Sequence, residues 1–157
     1  DKGKKVTDSD LVSIAEAVMN LPRCRPLKLQ ELTVVTGNRV TPTASVKLKV
    51  RGKVISAAAT GVGPVDAAIN AIRNAVQTIE PIKLDGYYVK SISGGTDAIV
   101  EVVVHLSKGD ITTTAWGAHE DIVMASVEAM LNGINNILSR GNANISPLQE
   151  NLPDKLV

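Results

Sequence analysis

Val46-Lys47-Leu48-Lys49-Val50-Arg51-Gly52-Lys53-Val54 alternates valine and leucine with lysine as far as a glycine, and the β-leaning segment 54–60 follows it. Period-two alternation puts the aliphatic side chains on one face and the lysines on the other, as a half-buried antiparallel strand requires. Gly52-Lys53 then reads as a hairpin turn into a second strand. Immediately afterwards the period changes: Val65, Ala68, Ile69, Ile72, Val76 and Ile79 recur at helical spacing. Upstream, Glu31 to Thr36 is a third β-leaning stretch, so the order is β-β-β-α.

The same order recurs further on. Tyr87 to Ser93 leans to β, Val100, Val102, Val104 and Leu106 alternate, and Gly109-Asp110 separates them from Ile111 to Trp116. A helical stripe of Val123, Val127, Met130, Leu131, Ile134 and Leu138 ends the unit. Gly37 and Gly94 are 57 apart, as are Gly52 and Gly109, whereas Gly61 and Gly117 are 56 apart. At a shift of 57 the triplet Val46/Leu48/Val50 meets Val103, His105 and Ser107, which do not match it, so the repeat is one of architecture. Three strands and one helix bury little alone. The expected fold is therefore α+β, with duplicated β-β-β-α units packed around a pseudo-two-fold axis, spanning about 29–80 and 81–138.

Residues 1–28 read as a connector. Asp8 to Asn20 carries Leu11, Ile14, Ala15 and Val18 on one helical face behind Thr7-Asp8-Ser9-Asp10, which can cap it, and Pro22 and Pro26 bracket a stiff link. Residues 139–157, rich in asparagine and interrupted by Pro147 and Pro153, are expected to form a poorly ordered tail.

Composition narrows the chemistry. The chain has 157 residues, 17 Lys plus Arg against 16 Asp plus Glu, 44% hydrophobic and 2% aromatic residues, one Cys and no Phe. A net charge of +1 with interspersed signs carries no electrostatic footprint for nucleic acid or an anionic membrane. Neither a membrane span nor a signal peptide is expected, and a single cysteine fits a reducing, cytoplasmic setting. His105 and His119 are the only histidines and form no His-x-His or His-Glu-x-x-His pair, so neither a metal site nor a catalytic residue is expected. Cys24 lies between two arginines that would favour its thiolate, yet no local cysteine–histidine signature accompanies it.

Three segments could hold a ligand. Gly61-Val62-Gly63-Pro64-Val65-Asp66-Ala67 is a tight strand-to-helix turn with Pro64 at the first helical position, leaving the N–H groups of Val65, Asp66 and Ala67 to face an anion. It is not a phosphate loop, since no Lys-Ser/Thr follows the second glycine. Gly117-Ala118-His119-Glu120-Asp121-Ile122 opens the second helix with acidic residues suited to its dipole. Gly94-Gly95-Thr96-Asp97-Ala98 suits a turn into the fifth strand. Each also has a purely structural explanation, as a helix start, a cap or a turn.

Taken together these segments resemble a known family. Gly-x-Gly-Pro-Val-Asp-Ala at 61–67, Gly-Gly-Thr-Asp-Ala at 94–98 and Asp-Ile-Val-x-Ala-Ser at 121–126 resemble the C-terminal regulatory domain of 2-isopropylmalate synthases and (R)-citramalate synthases. Lys4-Lys5-Val6-Thr7-Asp8-Ser9-Asp10-Leu11 resembles the connector to that family's catalytic barrel. The likeness covers about residues 4–138. It implies the regulatory part of a longer acetyl-CoA-dependent acyltransferase, whose metal-bearing (β/α)₈ barrel is not in this stretch. It further implies a homodimer that binds leucine or isoleucine as feedback effector and needs no cofactor of its own. The expected ligand residues are Gly63, Val65, Asp66, Leu84, Tyr87, Thr96, Val100, His119, Asp121 and Ile122. Helix-start N–H groups would take the effector's carboxylate, and Asp66, Asp97 or Asp121 its ammonium. Tyr87 or Tyr88 would close the apolar end. The rival expectation is a dimerisation module that senses nothing.

Overall fold

The computed structural model describes residues 25–91 and 98–143. The expected helix over 8–20, the Gly94–Asp97 turn and everything after 143 lie outside them. Strands β1 (Leu27–Val35), β2 (Thr43–Val50) and β3 (Lys53–Thr60) precede helix α1 (Pro64–Gln77). Strands β4 (Lys83–Ser91), β5 (Val100–Lys108) and β6 (Ile111–His119) precede helix α2 (Ile122–Ala143). Each strand triplet is an antiparallel sheet in sequence order, so the chain folds as the expected α+β duplication. α2 continues beyond Leu138, where its apolar stripe ends, and Arg140 in its last turn donates to the Thr112 carbonyl at 2.7 Å.

The first hairpin differs by one residue from the expected turn. Val50 pairs with Lys53, so Arg51 and Gly52 form the turn, at φ 49° and 85°. Two positive φ values in a two-residue loop are the type I′ pattern, whose twist matches that of the strands. In the second hairpin Lys108 pairs with Ile111 and only Gly109, the first turn residue, has positive φ, as in type II′. Arg51 therefore matches Gly109, and the units superpose at a shift of 58 rather than 57: Val46 pairs with Ala57 and Val104 with Ala115. At that shift Ala44, Val46 and Leu48 fall on Val102, Val104 and Leu106, all buried. Both first strands carry a bulge at one place, between Leu29 and Glu31 and between Leu84 and Gly86.

Each helix runs back along its own sheet, and the helices pack on each other, so one continuous core joins the units. That core is aliphatic throughout, with Ala67, Ala68, Ala71 and Ala75 on α1 and Ala125 and Ala129 on α2 allowing close approach. At Gly117 the approach excludes a side chain, since a Cβ there would lie 2.2 Å from the Ala125 carbonyl oxygen and 2.5 Å from the Ala129 nitrogen.

The outer sheet faces are unlike. Thr33, Ser45, Lys47, Ser56 and Ala58 face outward in the first unit, where Lys47 bridges the Glu31 opposite it at 3.0 Å. The matching positions of the second unit hold Tyr88, Val103, His105, Thr114 and Trp116. There Tyr88 meets His105 edge-on, and His105 Nδ1 hydrogen-bonds Thr114 at 2.8 Å.

Helix α2 is buried almost all round and still carries Asn132, Asn135 and Asn136. A buried amide without partners is costly, and each of these is spent on a strand. Asn132 donates to the Trp116 carbonyl at 2.8 Å, and its counterpart Asn74 on α1 donates to the Ala58 carbonyl at 3.4 Å. The free edges of β6 and β3 are thus both met by a helix amide. Asn136 donates to Thr113 Oγ1. Asn135 reaches across the units: it accepts from the Leu27 N–H at 2.8 Å and donates to the Leu27 carbonyl at 3.0 Å, tying the start of β1 to α2. Lys108 on β5 pairs with Glu80 just past α1. Both ties lie at the hairpin end, which leaves the helix starts at the opposite end.

Replacing Asn135 with Ala strands both Leu27 backbone groups in an apolar site and should cost about 2–6 kcal/mol, on about 1–3 kcal/mol for each buried group left unpaired. Guanidinium unfolding at one fixed protein concentration reads this as a lower midpoint with unchanged slope. A loss under about 0.5 kcal/mol, the scale of a neutral surface change, would show that the tie is dispensable.

Candidate functional site

Each β-β-β-α unit carries its helix start at the end opposite its hairpin. Gly61 N–H bonds the Pro42 carbonyl at 3.0 Å, pinning β3's exit to the β1–β2 connection. A Cβ on Gly61 would lie 2.3 Å from the Ala67 nitrogen and 2.7 Å from Asp66 Oδ2, so only glycine fits. Gly63 differs: its φ of −155° suits any residue, and a Cβ there would meet nothing within 4 Å. The space over the start of α1 is open.

Gly63 gives α1 no side-chain cap. The Ala67 N–H is taken by the Gly63 carbonyl at 3.0 Å, so two N–H groups, those of Val65 and Asp66, rather than the expected three face outward from the first turn. Asp66 Oδ2 accepts from the Val62 N–H at 3.0 Å, which folds the carboxylate over the turn and, among the described residues, leaves Oδ1 without a hydrogen bond.

Helix α2 starts in the opposite manner. Asp121 Oδ1 accepts from the Val123 and Met124 N–H groups at 2.7 and 3.3 Å, a side-chain cap that fills this helix start from within. His119 Nδ1 accepts from the Asp121 N–H at 2.9 Å. Ser126 donates to the Ile122 carbonyl at 2.6 Å, so the Tyr87 hydroxyl, 2.7 Å from Ser126 Oγ, is the donor in that pair. Tyr87 thereby ties β4 to α2.

Thus Tyr87, His119, Asp121 and Ile122 come together in one unit, and Gly63, Val65 and Asp66 in the other. Val100 opens β5 opposite His119, at the same end as the first group. Leu84 does not join them: it pairs with Leu106 toward the hairpin end and borders a crevice with Arg73, Val76 and Ile134. Thr96 and Asp97 lie outside the described residues, and Tyr88 faces away from the helices. The hydrogen bonds at each helix start stay within that unit.

Apolar exposure is not legible in the sequence. Val35, Val40 and Val62 at this end of the first unit, and Val89, Ile99 and Ile122 at the same end of the second, are all exposed, Val62 to 96%. Among the described residues only Val54 and Tyr88 are large exposed hydrophobics placed elsewhere. Concentration of apolar surface at one end marks a surface that another molecule covers. Among the described residues no three His, Cys, Asp or Glu side chains gather to hold a metal ion, and no helix is long and apolar enough to cross a membrane.

Residues 5–138 match the model of the LeuA allosteric (dimerisation) domain. The chain is 55% identical over 139 residues to the Methanosarcina acetivorans protein named "Putative (R)-citramalate synthase CimA", covering 88% of this chain and 29% of that one. Against the 2-isopropylmalate synthase of Methanocaldococcus jannaschii the identity is 49% over 142 residues, covering 89% and 27%. Against the (R)-citramalate synthase CimA of the same organism it is 48% over 141 residues, covering 88% and 29%. The chain therefore spans less than a third of the length of these relatives. It belongs to the LeuA allosteric (dimerisation) domain family.

Proposed function

We propose that the chain is the effector-binding domain of a longer 2-isopropylmalate or (R)-citramalate synthase, and that leucine or isoleucine binds its homodimer at the helix-start end. The observation that carries this reading is the uncapped start of α1, open above Gly63, at the end of the unit where Val35, Val40 and Val62 are exposed. A free amino acid has matching parts. Its carboxylate suits the Val65 and Asp66 N–H groups at the positive end of the helix, and its ammonium suits the remaining oxygen of Asp66. Its aliphatic side chain suits valine and isoleucine walls such as Val62, Val100 and Ile122. A second copy closing over this end would cover the apolar surface and complete the pocket. Inhibition then follows if the effector binds one arrangement of the dimer more tightly than another, a coupling of typically about 1–3 kcal/mol. One methylene discriminates by only about 1–3 kcal/mol, so the choice between leucine and isoleucine rests on wall shape.

Calorimetry of the 157-residue chain with leucine, isoleucine, valine and phenylalanine tests the binding. One of the branched-chain amino acids should bind, with phenylalanine excluded by size. Asp66→Asn keeps an acceptor for the Val62 N–H but removes the charge facing the ammonium, and should weaken binding by about 1.5–3 kcal/mol. Equal binding of all four, or of none while the dimer persists, would leave a dimerisation module without a sensor. Sedimentation at tens of micromolar, as an order of magnitude for a dimer of modest affinity, should give a dimer for the native chain and a monomer for Val62→Lys. A monomeric native chain would remove the dimer from the account.

A further inference from the structure

Tyr88, Val103 and Trp116 stand in register across β4, β5 and β6, one row over the outer face of the second sheet. The chain has one Trp and two Tyr, and two of those three lie in this row. At the matching place the first unit has Thr33, Ser45 and Ala58, so a β-β-β-α unit folds without such a row. Tyr88 is 58% exposed. A Cβ on Gly86 would lie 2.9 Å from both the Tyr88 and the His105 rings, so a glycine is what lets the two close over the strand. Tryptophan and tyrosine are the side chains that most often anchor protein interfaces.

The charges on either side of the row select what fits it. Two residues toward the helix-start end, Lys90 stands opposite Glu101. Two residues the other way, Gly86 stands opposite His105, and Asp85 in the bulge borders the same outer cleft as His105 and Trp116. If a second copy is turned over about a two-fold axis along the row, its Lys90 falls on Asp85 and its Glu101 on His105. Each pair then forms twice, and each row residue meets its own counterpart. The strands of the two sheets run antiparallel, which suits aligned face-to-face packing at roughly 30°.

We propose that this outer face binds the same face of a second copy, in a sheet-on-sheet contact separate from the helix-start end. Three strands of nine residues each, spaced about 4.8 Å apart and rising about 3.4 Å per residue, present a face of about 14 by 30 Å. That area belongs to the weak class of interfaces, under about 1,200 Å² in total. The contact therefore forms at high micromolar concentration, with Tyr88, Val103 and Trp116 at its centre and the two charge pairs at its rim. It requires no effector and does not rest on the proposed function.

Trp116 is the only tryptophan, so its fluorescence reads this face alone. In the 157-residue chain, acrylamide quenching of Trp116 should fall about twofold or more between about 1 and about 500 µM, the range a weak interface spans. Val62→Lys, at the helix-start end, should leave that fall in place, and Val103→Lys should abolish it. Asp85→Lys sets a lysine against Lys90 of the other copy and should raise the concentration of half-change about threefold or more, on two exposed ion pairs lost. Lys90→Asp in the same chain should restore it. Both positions are exposed, so this charge swap decides the outcome even if Val103→Lys unfolds the domain. Quenching that does not change with concentration, a fall that survives Val103→Lys in a folded chain, or no rescue by the swap would each overturn the proposal. A fall that Val62→Lys abolishes would overturn it too, by assigning the contact to the other end.

Discussion

Asn135 holds the two halves of this domain to one register. Each unit is a three-stranded sheet with one helix, too thin to enclose a core, and the apolar surface each leaves bare is nondirectional in what it accepts. Hydrophobic contact between α1 and α2 would tolerate sliding by a residue or two. A buried amide that both donates to and accepts from Leu27 does not, because any slip leaves polar groups unpaired in an aliphatic surrounding. The other asparagines do the same within a unit, fixing each helix against the edge strand of its own sheet. With the hairpin end pinned in this way, the helix starts are left open at the other end, and the exposed valines and isoleucines collect there.

Duplication set up two equivalent helix starts, and the residues have made them unequal. Asp121 satisfies the first turn of α2 from within. At the matching place α1 has Gly63, which has no side chain to offer and leaves open space above it. The outer faces diverge as well, with small residues and the Lys47–Glu31 ion pair over one sheet and Tyr88, Val103 and Trp116 over the other. A module in which both ends were only structural would have no use for that inequality, since a serine or aspartate at position 63 would cap α1 at a gain of about 0.5–2 kcal/mol.

Much of the architecture is legible from period alone. β2 and β5 bury one face each, so Val46, Leu48 and Val50 or Val102, Val104 and Leu106 announce strands, and the stripes from Val65 and Val123 announce helices. What escapes is what depends on distant partners. Arg51, not Gly52 alone, bends the first hairpin, because the strand twist favours two left-handed residues there. Asn132, Asn135 and Asn136 look like helix-weakening residues locally, since their partners lie 16, 108 and 23 positions away. In the candidate site the Asp121 cap and the turn closed by Asp66 are local and legible, whereas Leu84 lies at the hairpin end, away from the other site residues, because β4 begins at Lys83 rather than at Tyr87. The exposed Val35, Val40 and Val62 carry no warning at all, because an aliphatic residue in a sequence reads as core.

The central claim is that the helix-start end, and not the hairpin end, receives the effector. Amide chemical shifts of the labelled chain, followed while leucine and then isoleucine are added, test this most directly. The account predicts that one of them moves Gly61 to Asp66 and His119 to Ser126, while Arg51, Gly52 and the amides around Asn135 stay where they are. Shifts confined to the hairpin end, or none anywhere at saturating ligand, would contradict it.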